Sequence, residues 1–297
     1  MQIQHLRNKA IDYLLWDKRI AVSQGSLPYA QSWYLDIVSP DWEALVSENY
    51  VYIMPLPAKK KFGINYLVQP ALTQQLGLFS EFDITIEIIQ QFIQAIPYLS
   101  YEINLNEHNP PHGHGYTNLI LKLNKPFTEL NTHFSKNTVR NTAKALKAGI
   151  TVHYNAFNSE TEEFMRANAN VSYVPELNTM FRIIEEASRR QSIDILTARN
   201  TEGSIIASAC FHKTNNRIVN FFPVTNDEGR LSSAMFLIIL SIIEKYSGKN
   251  MLLDFEGSRI ETIARFYKGF GAHNKPYFVI RKNRPDMITG ILKRIRK

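Results

Sequence analysis

The sequence predicts a mixed α/β protein written as two similar halves. Three observations predict it. Hydrophobic residues recur at a period of two in some stretches and near 3.6 in others along the whole chain, which marks strands and amphipathic helices in turn. An order of strands, loop, helix and further strands occurs twice, without obvious sequence identity. The length of 297 residues suits two domains of roughly 150 residues each. A hydrophobic content of 44% with 21% charged residues is that of an ordinary globular chain.

In the first half, residues 41–48 follow Ser39-Pro40 and read as a helix. Residues 50–56 and 62–69 read as strands, joined by a basic turn at 58–61. Residues 84–95 have the spacing of an amphipathic helix. Strands are expected at 99–105 and 116–123, on either side of the Pro-, Gly- and His-containing loop 108–115. The joint between the halves is expected to be a helix over 135–147, ended by Gly149. This gives an N-terminal domain over 1–134, a connecting helix over 135–150 and a C-terminal domain over 151–297. Two such domains side by side would form a cleft, a usual place for a ligand.

The second half begins with a helix over 176–190 and strands over 193–199, 204–212 and 217–224, with turns at Glu202-Gly203 and Asn215-Asn216. Residues 232–246 are apolar on nearly every side, so that helix should be buried. Met251, Leu253 and Phe255 alternate with Leu252, Asp254 and Glu256 as in a strand. Ser258 and Glu261 have the spacing of a capping box, and Ile260, Ile263, Ala264, Tyr267 and Phe270 follow at helical spacing. A last strand is expected over 276–281.

The net charge of +7 is concentrated at one end. Seven basic residues and one acid lie between Arg281 and Lys297, a net of +6, so the other 280 residues sum to +1. A general nucleic-acid footprint is therefore not expected, although the tail suits an anionic partner. Residues 286–297 place Met287, Ile288, Ile291, Leu292 and Ile295 on one helical face, with Lys293, Arg294, Arg296 and Lys297 largely outside it. Such a helix docks on its own domain or on anionic lipid. The lone Cys210 suits a reducing compartment and packing in an apolar strand. The first 20 residues lack a signal-peptide core, and the longest apolar run, 234–240, is too short to span a bilayer. A cytoplasmic protein is expected. His108, His112 and His114 share a loop without cysteine, and no metal site is expected there.

The strand end Asp254-Phe255-Glu256-Gly257 and the helix end Phe266-Tyr267-Lys268-Gly269-Phe270-Gly271 bring a carboxylate and a phenol to one end of a sheet. This block resembles the C-terminal part of the GNAT acyltransferase fold, in particular its tandem, Fem-type (peptidoglycan aminoacyltransferase-like) branch, which carries F-K-x-G-F-G here. Tyr267 replaces the first Lys. It precedes Gly271 by four, as does the Tyr that many acetyl-CoA-dependent GNAT enzymes use to protonate a departing thiolate. The helix start Phe134-Ser135, with Arg140-Asn141, Lys144-Ala145 and Gly149, also resembles the Fem type. Its Lys136, Arg140 and Lys144 are spaced by four and share a face suited to a phosphate or carboxylate. Read without the resemblance, it is a solvated basic face.

GNAT proteins cradle a pyrophosphate in a Q/R-x-x-G-x-G/A loop, where backbone N–H groups and a helix N-terminus supply the donors. In the loop Gln74-Gln75-Leu76-Gly77-Leu78-Phe79, Gln74 and Gly77 match, while Phe79 stands where Gly or Ala belongs. The loop Asn226-Asp227-Glu228-Gly229-Arg230-Leu231-Ser232-Ser233 offers Gly229, Arg230, Ser232 and Ser233 before a helix, with Ser233 where Gly should follow Arg230. Either loop is equally an ordinary helix approach. The resemblance implies acyl-CoA- or aminoacyl-dependent transfer to an amine of a small molecule or peptide. Glu256 is the expected base, Tyr267 the acid, and Lys268 and Gln74 lie at the rim. Fem-type enzymes acting on charged tRNA usually carry a helical-hairpin arm, and no long heptad stretch occurs here, so tRNA is not expected. The rival class is a non-catalytic tandem GNAT-like binding module, which the imperfect phosphate loops favour.

Overall fold

The computed structural model describes residues 1–61, 63–170, 175–257 and 260–282. The chain divides into two compact units, Met1–Tyr116 with Pro276–Lys297, and Thr117–Lys275. The first contains β1 (Ile3–Leu6), α1 (Tyr13–Val22), α2 (Ser32–Val38), β2 (Glu43–Ser47), β3 (Ile53–Leu56), β4 (Ala58–Lys61), β5 (Ile64–Val68), α3 (Ile86–Ala95), β6 (Tyr101–Asn104) and β7 (His114–Tyr116). The second contains β8 (Leu119–Lys122), α4 (Phe127–Leu130), α5 (Lys136–Lys147), β9 (Thr151–Asn155), α6 (Ser159–Asn168), α7 (Leu177–Arg189), β10 (Ile193–Arg199), β11 (Ile205–Lys213), β12 (Arg217–Thr225), α8 (Asp227–Ser232), α9 (Ala234–Tyr246), β13 (Leu252–Asp254), α10 (Glu261–Lys268) and β14 (His273–Asn274). The chain then returns to the first unit as β15 (Tyr277–Lys282).

The first unit holds a three-stranded sheet, β1-β2-β3, and a five-stranded sheet, β4-β5-β6-β15-β7. Its core is aromatic. Trp16 and Trp42 are buried with ring centroids 4.8 Å apart. Their indole N–H groups donate to Ala30 O and Asp36 Oδ1, both at 2.8 Å, so neither polar tip is left bare.

The second unit holds a seven-stranded sheet in the order β14-β8-β13-β12-β11-β10-β9. Helix α9 is buried along Leu237, Ile238, Ile239, Ile242 and Ile243, as its apolar composition predicts, and packs between α5 and the sheet. Helix α5 belongs wholly to this unit. The expected division at 135–150 is thus corrected to Tyr116/Thr117. Strand β8 joins the second sheet by pairing with β13 and β14, and α5 covers α9.

Several local expectations change for tertiary reasons. The expected helix over 41–48 is strand β2: Ala44–Ser47 are buried, and both edges pair, with β1 and β3. The basic turn over 58–61 is strand β4, paired with β5. The expected helix over 232–246 is α9 with its start moved to Ala234, because Ser233, whose φ is 66°, separates it from the short helix α8. The expected cap at Ser258 and the tail helix over 286–297 lie outside the described residues.

Two polar side chains inside the second sheet are chemically quiet. Burial pushes the Cys210 thiol up, which makes it a packing group and not a nucleophile. Burial, and then the neighbouring Lys213 charge, push the fully buried His212 imidazole down to about 3. The unfolded chain takes up that proton near pH 6.5. His212 therefore favours folding fully above pH ~6.5, and that contribution is lost as pH falls from ~6.5 toward ~3. At pH ~4.5 the loss should be about 2–3 kcal/mol. Urea denaturation at neutral pH and at pH ~4.5 checks this: the unaltered chain should lose that stability, and His212→Gln should lose less by the same amount. Equal acid sensitivity in both would remove His212 from the account.

Candidate active site

Strands β12 and β13 run parallel for three paired positions, Arg217↔Leu252, Ile218↔Leu253 and Val219↔Asp254. There the pairing stops, although β12 continues to Thr225. A bulge lies at the same place on the other side of β12. Cys210 pairs with Phe222 and Phe211 with Asn220, which leaves Phe221 as an extra residue. A bulge bends and twists its strand, and here it coincides with the parting of the parallel pair.

Asn220 is the first residue beyond the last paired position. It is 3% exposed, and its Nδ2 donates to Tyr267 Oη at 2.9 Å. Tyr267 projects from α10, is 7% exposed, and stacks on Phe255 with centroids 4.5 Å apart and planes 20° apart. Phe255 is fixed in turn by its N–H to Leu119 O at 2.9 Å. The phenol is therefore held by a ring on one side and an amide at its oxygen. With that amide N–H at the phenol oxygen, the bond the phenol itself gives is its O–H. Asn220 Oδ1 is buried with no hydrogen-bond partner among the described residues. A buried acceptor without a donor is uncommon and calls for a role.

The acid side of the site is built on an ion pair. Asp254 is 0% exposed and Arg217 2%, with Nη1 to Oδ2 at 2.5 Å. The other oxygen, Oδ1, accepts the N–H of Glu256 at 2.9 Å. Glu256 is half-buried and has a φ of 59°, a left-handed conformation that a non-glycine residue adopts only when its surroundings enforce it. Its carbonyl accepts Leu119 N at 3.2 Å. Thus Glu256, Asn220 and Tyr267 all lie at the end where β12 and β13 separate.

The start of α9 adds a basic corner. Ser233 Oγ donates to Asn141 Oδ1 at 3.3 Å, and Lys144 Nζ donates to Leu231 O at 2.6 Å. Asn137 Oδ1 receives both Asn141 Nδ2 at 3.1 Å and Arg140 Nη2 at 2.8 Å. Lys144 is thereby tied to the last turn of α8 and Arg140 to Asn137 on its own helix, while Asn141 reaches Ser233, the residue before α9.

No family model matches the chain by sequence, and no curated protein does. Solved structures do match. FemX superposes over 100% of this chain and 100% of its own, with a TM-score of 0.71 at 10% identity. The C-terminal domain of a protein assigned as a lysylphosphatidylglycerol synthetase in Agrobacterium fabrum covers 96% of both chains, with a TM-score of 0.53 at 9% identity. L-PGS from Bacillus licheniformis covers 87% of this chain and 90% of its own, with a TM-score of 0.50 at 13% identity. The chain has a FemX-like fold. The glycines of the 266–271 motif have a structural cause. A Cβ on Gly269 would lie 2.5 Å from Thr138 Oγ1 and 3.1 Å from Ser135 Oγ, and Ser135 N donates to Gly269 O at 2.8 Å. Gly271 has a φ of 87°. Phe270 is fully buried against Phe134, Phe236 and Phe266. The motif locks the end of α10 onto the start of α5.

Other sequence-selected residues of the Fem-like fold fall elsewhere. Lys268 is exposed and stands about 100° around α10 from Tyr267, so it does not share the direction of the buried phenol. Gly229 packs where a Cβ would collide with Ile206 O, and Asn226 caps α8 through Gly229 N at 2.8 Å. Arg230 is tied to Thr225 O at 2.9 Å and to Asp227, and Ser232 Oγ donates to Glu228 O at 2.7 Å. Only Ser233 of that group stands at the start of α9, which Lys144 approaches. Gln74, Gln75 and Gly77 lie in the first unit. There Leu76 N donates to Asn104 O, Leu78 N to Asn109 Oδ1 and Phe79 N to Ile53 O, so those loop donors are turned inward. Gln75 is buried and its Oε1 accepts Glu107 N at 2.9 Å. Lys136 is exposed at the first turn of α5. Asn220, Asp254 and Arg217 were not selected from sequence; their only signal is a polar residue inside an apolar strand. Among the described residues, no group of three His, Cys, Asp or Glu side chains could hold a metal ion, and no helix is long and apolar enough to cross a membrane.

Proposed function

We propose that this protein transfers an acyl group from an activated donor, an acyl-CoA thioester or an aminoacyl ester, to the amine of a small molecule or peptide. The observation that carries this reading is the Asn220–Tyr267 bond at the parting of β12 and β13. Glu256 takes a proton from the ammonium of the acceptor. The amine attacks the donor carbonyl, a C–N bond forms, and the C–S or C–O bond breaks. Tyr267 gives its proton to the departing sulfur or oxygen, and the second proton that the nitrogen loses as the amide forms returns to the phenolate. The N–H of Asn220 already points at the phenol oxygen and stabilises the phenolate that results. Asn220 Oδ1 is placed to accept an N–H of the donor or of the incoming amine. Lys144, Arg140 and the α9 N-terminus suit the phosphates of a CoA donor.

A second reading, a Fem-like binding module without catalysis, is favoured by the near-complete burial of Tyr267 and by the internal engagement of Gly229 and Arg230. Thermal unfolding with acetyl-CoA and longer acyl-CoAs separates the two. A bound thioester at a hundred times its dissociation constant should add about 2.7 kcal/mol of stability. No shift with any thioester would remove CoA as donor. A shift without product from any amine would leave the binding module standing.

A further inference from the structure

Strand β9 ends the seven-stranded sheet on one side, and among the described residues no strand pairs with its outer edge. The direction of its backbone groups follows from the neighbouring ladder. Lys213 N donates to Ser192 O, and Asn200 N donates to Ser204 O. Ser192 and Asn200, which flank β10, therefore both face β11. Successive residues of an antiparallel strand turn their N–H and C=O groups to opposite sides. Ile195, Thr197 and Arg199 thus face β9, and their partners Asn155, His153 and Thr151 face back. Val152 and Tyr154 are left with both backbone groups pointing outward, without a partner among the described residues.

An open edge of this kind is usually blocked by charge, proline or a bulge. Edge strand β4 carries Lys59, Lys60 and Lys61, and edge strand β3 carries Pro55. Strand β9, with the sequence Thr-Val-His-Tyr-Asn, has none of these devices, and its register with β10 is unbroken. The edge is also accessible: His153 is exposed, and Tyr154 is 46% exposed. Tyr154 is held in place, since its hydroxyl donates to Ser241 O at 3.1 Å and Lys245 Nζ lies 4.1 Å from its ring centroid. That lysine is paired with Asp194 at 2.8 Å, so it brings no uncompensated charge to the edge.

We infer that β9 pairs with β9 of a second copy of this chain, antiparallel, about a two-fold axis at His153. The strand is self-complementary in that register. Val152 lies opposite Tyr154 of the second copy, and Tyr154 opposite its Val152, so every outward N–H meets an outward C=O. Each of these contacts is an aromatic–β-branched pair, which favours strand association. Thr151 lies opposite Asn155, and no like charges meet. A second copy is favoured over an unrelated extended peptide because the two open positions are themselves related by the axis, and an isologous contact uses the same surface twice. One strand pair is a small interface, so the dimer is concentration-dependent and not permanent. The inference does not depend on the acyl-transfer reading.

The test is sedimentation velocity of the full chain over a range of concentrations, with amide hydrogen exchange read residue by residue by NMR. The mass should double as concentration rises. The Val152 and Tyr154 amides should exchange fast in the monomer and slowly in the dimer, whereas the His153 amide, bonded to β10, should be slow in both. Val152→Pro removes an outward N–H and leaves the β10 ladder whole, and should weaken association by at least about tenfold. At the axis, His153 meets its own copy with Cα atoms about 4.5 Å apart. His153→Asp and His153→Lys should therefore each be monomeric, because like charges directly opposite are destabilising. An equal mixture of the two should associate again, which separates charge from damage to the strand. A chain that stays monomeric up to about 1 mM, charge variants that still associate singly, or a mixture that does not associate would overturn the inference. A monomer whose Val152 and Tyr154 amides become protected by an added extended peptide would overturn it in favour of a peptide partner.

Discussion

Tyr267→Phe is expected to lower turnover by ~10²–10⁴-fold while the protein stays folded. The phenol ring stacks on Phe255, and Phe keeps that stack. What the substitution removes is the proton given to the leaving group and the oxygen that Asn220 Nδ2 now contacts. As a purely structural group, the hydroxyl would be worth about 1 kcal/mol through one hydrogen bond, and activity would hardly change. The two outcomes therefore differ by orders of magnitude in rate and little in stability. Asn220→Leu gives a second handle. It leaves the phenol in place and removes the N–H that stabilises the phenolate, so it should lower turnover less than Tyr267→Phe but in the same direction. Full activity in both variants would end the catalytic assignment and leave the binding module.

The second large effect concerns stability. Asp254→Asn takes away the carboxylate that faces a guanidinium 2% exposed, and should destabilise the second unit by about 3–5 kcal/mol. Arg217→Met should cost a similar amount for the converse reason. The double variant Arg217→Met/Asp254→Leu removes both charges and should recover most of that loss, because desolvating two ions largely cancels their attraction. Denaturant unfolding of the four proteins checks the pattern. Single variants within ~1 kcal/mol of the unaltered chain would contradict a dry ion pair. The double variant also loses the acceptor for Glu256 N–H. If that bond holds Glu256 in its left-handed conformation, the refolded double variant should remain a poor catalyst. Stability and activity then part company, as they would not for an ion pair that merely glues two strands.

The fold was legible where local pattern and tertiary use agree. The strand over 193–199 matches β10 residue for residue, because its alternation and its flanking turns agree. Helix α9 was legible from its uniform apolarity, and α5 from its Ser135 start and Gly149 stop. Strand β2 was not. Its Glu-Ala-Leu-Val-Ser stretch has fair helix propensity, and only pairing with β1 on one side and β3 on the other makes it a strand. The positions of Tyr267 on a helix and Glu256 at a strand end were legible from the motif they occupy. Asn220 and the Arg217–Asp254 pair were not, since each is a polar residue in a largely apolar strand whose partner lies 37 or 47 positions away. The glycines of 266–271 were legible as a motif, but their cause, the close approach of Ser135 and Thr138, is a tertiary fact.

The return of β15 to the first unit has a consequence for biosynthesis. The second unit, Thr117–Lys275, is one uninterrupted stretch and can complete itself as it leaves the ribosome. The first unit cannot. Strand β15 lies between β6 and β7 in its sheet, and among the described residues β7 pairs with no other strand. The first unit must therefore wait, with the slot between β6 and β7 open, until Tyr277–Lys282 has been made. During that interval β6 offers an unpaired edge to any extended chain nearby. A premature stop before Tyr277 thus removes the closing piece of the domain made first.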